Sequence, residues 1–142
     1  PLLITNCDQI LEWDSTDFIK HIENTESDGI VMTYKVITNT NSYVKLDNNG
    51  YAIEFAEKKI ISDNSLNGIH FWKNGTMFIE SAESMIKKDI RVNNEFYIAP
   101  TYNEMVDNNK KISIYPIEVS QHWAVGTPDD LNKYLEHENI KH

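Results

Sequence analysis

The chain has 142 residues, 40% hydrophobic and 25% charged, with a net charge of −9. That is one domain's worth of chain, with enough apolar content to bury a core. The acidic balance argues against a nucleic-acid partner, because phosphate backbones are gripped by clustered Lys and Arg, and Arg91 is the single arginine. Cys7 has no partner for a disulfide, which suits a reducing compartment. No apolar stretch approaches membrane-spanning length, and no basic leader precedes a cleavage site. A cytoplasmic protein without a membrane span is expected.

The predicted elements follow in chain order. Residues 2–6 form a short apolar run that suits a buried strand. Asp14-Ser15-Thr16 offers cap chemistry to a helix in which Phe18, Ile19 and Ile22 recur at helical spacing. After Gly29, residues 30–37 are rich in β-branched side chains and predict a strand. Residues 43–46 and 51–55 flank Asp47-Asn-Asn-Gly50, a hairpin signal. Residues 66–73 read as a further strand, and Met77, Phe78, Ala82, Met85 and Ile86 mark an amphipathic helix over 76–88. A helix is predicted over 98–106 and a strand over 112–119, with Pro116 signalling an edge or bulge. A last helix starts at Thr127, where a Thr cap, Pro128 and two acids complement the positive helix end. Alternating strands and helices make an α/β domain with a mixed sheet.

Two segments at opposite ends bear on chemistry. The first strand opens directly into Asp8, and ligands of alternating α/β sheets sit just past the carboxyl ends of strands. Trp123-Ala-Val-Gly-Thr-Pro reads as a strand end, a glycine turn and a capped helix, returning a second loop to the same rim. Between them, Glu57-Lys58 follows another apolar stretch. Together they point to a small-molecule phosphate site.

Five segments carry a family resemblance: Asn6-Cys-Asp8-Gln9, Ala56-Glu57-Lys58-Lys59, Asn67-Gly68-Ile69-His70-Phe71-Trp72, the stretch from Asn93 to Asn103, and Gly126-Thr-Pro-Asp-Asp-Leu131. In this order the chain resembles sugar-phosphate nucleotidyltransferases, close to the branch serving capsule and lipopolysaccharide sugar-nucleotide synthesis. The resemblance implies the later half of a nucleotide-diphosphosugar transferase fold, with a mostly parallel, Rossmann-like sheet and flanking helices. It also implies a reaction joining a sugar 1-phosphate to a nucleoside triphosphate with release of pyrophosphate.

By the same resemblance, Asp8 would be a magnesium ligand, and one carboxylate suffices chemically because Mg2+ keeps waters and takes phosphate oxygens. The ordinary alternative is an Asp that caps the following turn. Glu57 would bind sugar hydroxyls and Lys58 would neutralise the sugar phosphate as the catalytic cation; the alternative is a solvated pair at a strand end. Gly68 would let the sugar approach the backbone, or else mark a strand irregularity. Asn94 and Glu95 would lie near the sugar, or else belong to a loop that caps the next helix. His70 reads as a strand residue rather than a base, and Arg91 as a surface guanidinium.

Two features depart from the family. Many members carry an Asp where this chain has Ala124, so either Asp8 holds the magnesium with help from phosphates and water, or the metal site is degenerate. The family's glycine-rich phosphate loop precedes the segment at which this chain begins, and Gly29, Gly50, Gly68, Gly75 and Gly126 form no replacement. The chain therefore reads as a truncated, sugar-phosphate-binding half. Two functions stay open: part of a transferase, or a non-catalytic sugar-phosphate-binding or regulatory module. The sequence names neither the sugar nor the base, and leaves a homo-oligomer open.

Overall fold

The computed structural model describes residues 1–141. Its strands are β1 (Leu2–Thr5), β2 (Gln9–Leu11), β3 (Gly29–Tyr34), β4 (Ser42–Leu46), β5 (Ala52–Glu57), β6 (Ser65–Trp72), β7 (Ile112–Pro116) and β8 (His122–Ala124). The helices are α1 (Ser15–Asn24), α2 (Gly75–Lys87), α3 (Thr101–Asp107) and α4 (Pro128–Lys141). Six strands form one sheet in the order β5-β4-β6-β3-β7, with β1 added to β6, while β2 and β8 make a separate two-stranded ribbon.

The sheet is mixed but mostly antiparallel, which corrects the mostly parallel, Rossmann-like expectation. Among the described pairings β3–β7 is parallel, whereas β1–β6, β3–β6, β4–β5 and β4–β6 are antiparallel. All six residues of β3 are buried. Such an apolar run reports helices on both faces of a strand and carries no information about the direction of its neighbours. Direction comes from the connections, and the tight turn between β4 and β5 permits only an antiparallel pair. In that turn the Asp47 carboxylate accepts from the backbone N–H groups of Asn49 and Tyr51 at 2.8 and 2.9 Å, and Gly50 takes φ +84°.

One face of the sheet packs on α2 and α3. Trp72, buried and central, stacks on Tyr102 with centroids 4.9 Å apart, and Phe55 stacks on the same tyrosine at 4.9 Å. The other face meets α1 through Phe18, which packs edge-on against Tyr115 at 5.1 Å. Asp14 caps α1 and Asn74 caps α2, each accepting from the N–H two residues on.

Two predicted elements are shorter than their apolar patterns. Helix α3 begins at Thr101 because Pro100, which lacks an N–H, suits the entry to a helix rather than its interior. Strand β7 stops at Pro116 on the sheet edge for the same reason, and the Ile117 N–H then donates to the Thr33 carbonyl at 2.8 Å. No helix of the described residues is long and apolar enough to cross a membrane.

Candidate functional site

A two-lobed cleft opens at the ends of β1 and β6. One lobe, of about 600 Å³, is lined by residues including Asp8, Gln9, Asn67, His122, Ala124 and Gly126. The other, of about 280 Å³, is lined by residues including Ser42, Glu57, Gly68, His70 and Tyr97. Asn6, Thr40, Asn41 and Leu66 belong to both, so the two lobes are continuous.

The ribbon builds the first lobe. Gln9, Ile10 and Leu11 pair antiparallel with Ala124, Trp123 and His122, and the Val125 N–H donates to the Asp8 carbonyl at 2.9 Å. The two ends of the chain thus meet on one rim. A Cβ on Gly126 would stand 2.9 Å from Asp8 Oδ2, so the absent side chain is what lets the carboxylate lie against the glycine turn. His122 shares a hydrogen bond with Gln9 at 3.0 Å and lies against the Tyr34 ring at 4.7 Å. Burial lowers its pKa, and the nearby Asp8 charge opposes that shift.

Glu57 lies directly opposite Ser42 in the β4–β5 ladder, and the Ser42 hydroxyl donates to its carboxylate. Burial raises the Glu57 pKa, partly offset by that hydrogen bond and by Lys58. Lys58 itself takes φ +54°, and its ammonium donates to Tyr97 Oη at 2.5 Å. Tyr97 in turn donates to Glu95. Lys58 and Glu95 therefore reach the cleft through Tyr97, a residue the motifs did not single out; its position two residues after Glu95 was the available signal. The Tyr97 hydrogen bond is the main cause of a raised Lys58 pKa.

Asn94 does not line the cleft. Asn93 and Asn94 take φ +50° and +64° in the turn that closes the Val92–Glu95 bridge, a backbone conformation Asn tolerates well. The only guanidinium is spent in the same loop: Arg91 donates to Asp89 at 2.5 Å and to the Asn94 carbonyl at 3.0 Å, over the Phe96 ring.

Gly68 sits in a bulge of β6. Thr33 pairs with Leu66 and Val31 with His70, so three residues of β6 stand opposite the single residue Met32. Gly68 takes φ +89°, and a Cβ there would fall 2.2 Å from the Asn6 side chain. Asn6 and Gly68 are also joined by a backbone hydrogen bond of 3.1 Å. Gly68 lines the second lobe.

Neither lobe is lined by Lys or Arg among the described residues; Lys58 touches Tyr97 on one side and Lys133 touches Asp130 on the other, at 3.4 Å. A phosphate entering so acidic a cleft needs a cation between its oxygens and the carboxylates. Asp8 fits magnesium as a single carboxylate ligand sharing the ion with phosphate and water. Ala124, facing Gln9 across the ribbon, adds no ligand. The one group of three close ligand-type side chains among the described residues, Glu12, His137 and Glu138, does not include Asp8.

No protein-family profile and no curated protein matches the chain. Solved structures do. The chain is similar to a nucleoside-diphosphate-sugar pyrophosphorylase from Vibrio cholerae, with a TM-score of 0.80, 22% identity, and coverage of 96% of this chain and 57% of that one. It is also similar to a protein assigned as a glucose-1-phosphate thymidylyltransferase from Bacillus anthracis, solved with sucrose, at TM-score 0.68 and 18% identity, covering 92% of this chain and 51% of that one. At these identities the likeness establishes the fold. The chain spans about half the length of these two structures.

Proposed function

We propose that the chain provides the sugar-phosphate side of a nucleotidyltransferase site that joins a sugar 1-phosphate to a nucleoside triphosphate and releases pyrophosphate. The observation that carries this reading is the continuous cleft with Asp8 in one lobe and Glu57, Gly68 and Tyr97 in the other, in a fold shared with sugar-nucleotide pyrophosphorylases. Glu57 keeps one carboxylate oxygen beyond the Ser42 bond and accepts from a sugar hydroxyl. The Gly68 backbone admits the ring closely. Lys58, released from Tyr97, offers its ammonium to the sugar phosphate, whose oxygen is thereby positioned to attack the α-phosphorus. Mg2+ held by Asp8 would neutralise charge on the phosphate oxygens. A cytoplasmic setting, where both substrates are made and used, fits this role.

Ligand-observed NMR with glucose, galactose and mannose 1-phosphates, with and without Mg2+, tests the reading. Binding of at least one hexose 1-phosphate is expected, weakened about tenfold by Lys58→Ala, while the unphosphorylated hexose is unaffected by that change. Glu57→Gln should weaken both ligands. Intact hexose 1-phosphate binding in both variants would reduce the pair to a solvated strand end. Asp8→Asn should remove the Mg2+-dependent part of binding, and equal Mg2+ affinities would return Asp8 to a turn-capping role.

Ala124 favours a second reading, a non-catalytic sugar-phosphate-binding module. A pyrophosphate-release assay can exclude this second reading, although neither reading expects turnover from the chain alone. The chain alone is expected to bind hexose 1-phosphate without turnover, since its scattered glycines cradle no triphosphate. Turnover by the chain alone would exclude the module.

A further inference from the structure

Two residues that line the cleft carry a buried polar atom without a partner. Asn67 and His70 are 3% and 6% exposed, and Asn67 Nδ2 and His70 Nδ1 make no hydrogen bond. They lie on either side of Gly68, one lining the Asp8 lobe and the other the Glu57 lobe. Residues three apart on a regular strand face opposite sides of a sheet. Here both reach one cleft because the β6 bulge inserts extra residues opposite Met32. Buried polar groups without partners cost about 1–3 kcal/mol each, and their position in a cleft indicates a partner that arrives with a ligand.

The free atoms have defined characters. Asn67 Oδ1 accepts from the Ile69 N–H at 3.2 Å, which leaves the amide's donor end without a partner. Its partner is an acceptor oxygen. The His70 ring stacks on Tyr102 at 5.7 Å and is held neutral by burial. A neutral imidazole offers no charge to a phosphate and matches a hydroxyl, which both donates and accepts. Apolar Leu66, Ile98 and Ala99 line the same lobe.

We propose that Asn67 and His70 determine which sugar the cleft accepts, His70 Nδ1 exchanging a hydrogen bond with a sugar hydroxyl beside Glu57 and Asn67 Nδ2 donating to a ligand oxygen on the Asp8 side. This rests on the sugar-phosphate reading of the cleft. The ligand class is a hexose 1-phosphate with free ring hydroxyls, discriminated by the configuration of the hydroxyl at His70. A site built around a hydroxyl rejects an analogue that lacks or misplaces it, because its own polar atom is then left unpaired.

The test compares glucose, galactose and mannose 1-phosphates on the wild-type chain, His70→Phe and Asn67→Asp. Phenylalanine keeps the ring stack and removes the orphaned nitrogen; aspartate keeps the acceptor for Ile69 and removes the donor. The wild type should prefer one of the three by about tenfold, and His70→Phe should lose that preference while melting no lower than the wild type. Asn67→Asp should weaken all three ligands. The wild-type His70 Nδ1 resonance, followed by nitrogen NMR, should move on saturation with the preferred ligand, a readout independent of any variant's folding. Equal binding of all three by the wild type, a preference that survives in both variants, or an unmoved His70 resonance overturns the inference while leaving the sugar-phosphate reading standing. Failure of the wild type to bind any hexose 1-phosphate overturns both.

Discussion

The two lobes of the cleft are built on unlike foundations. The Glu57 lobe rests on the main sheet, where Trp72, Tyr102 and Phe55 form a stacked buried cluster. The Asp8 lobe rests on a ribbon of two three-residue strands and on α4, whose Leu131 and Leu135 are exposed. A densely packed floor can hold costly features such as the Gly68 bulge and the His70 orphan, because neighbouring contacts over-determine them. A short ribbon cannot: it ties Asp8 through the main-chain carbonyl, which accepts from the Val125 N–H, and the carboxylate lies in the space Gly126 leaves. Under the proposed function, sugar recognition would fall on the sheet side of the cleft and cation binding on the ribbon side.

The largest effects should separate the two foundations. Trp72→Ala is expected to cost about 3–5 kcal/mol in urea unfolding, whereas Leu131→Ala on α4 should stay within about 0.5 kcal/mol. Similar losses for both would make the ribbon corner as integral to the core as the sheet.

Acid should weaken the rigid lobe through His70. Burial holds its pKa at about 4, below the ordinary 6.5. Between those values the unfolded chain binds a proton that the folded chain does not. Stability should therefore fall as pH drops from about 6.5 to about 4 and level off below, by about 3 kcal/mol in total. Burial also lowers the pKa of His21 and His122, so the relevant quantity is the difference between wild type and His70→Phe across that range. A difference that does not change with pH would mean His70 is charged in the folded state.

The two glycines sharpen the comparison at smaller scale. Gly68→Ala forces a Cβ into the Asn6 side chain at a backbone conformation that disfavours side chains, and should cost about 1–3 kcal/mol in thermal unfolding. Asn6→Ala should rescue part of it, since the steric clash is relieved and the strain is not. Gly126→Ala meets mainly the end of the Asp8 side chain, which can swing aside. Its stability should change by less than about 0.5 kcal/mol, while Mg2+-dependent binding, followed by calorimetry, falls. A large stability loss at Gly126 with Mg2+-dependent binding intact would reverse the assignment of the two lobes.

Local chemistry determined a good deal. Apolar periodicity and cap residues located α1, α2 and α4, and Asp47-Asn-Asn-Gly50 located the β4–β5 hairpin, because caps and turns are decided within a few residues. The glycine turn after Trp123 and the carboxylate after β1 were legible as strand ends, and the structure joins them. Tertiary structure alone decided the rest. Strand direction was hidden because burial on both faces looks the same in parallel and antiparallel neighbours. Lys58 was legible as a cation, but its hold on Tyr97 spans 39 residues and no dipeptide encodes it. Asn94 had the right chemistry for a sugar contact and is used instead to turn the chain. The alignment of Asn67 and His70 on one cleft depends on a register shift against β3, and register is a property of two strands together.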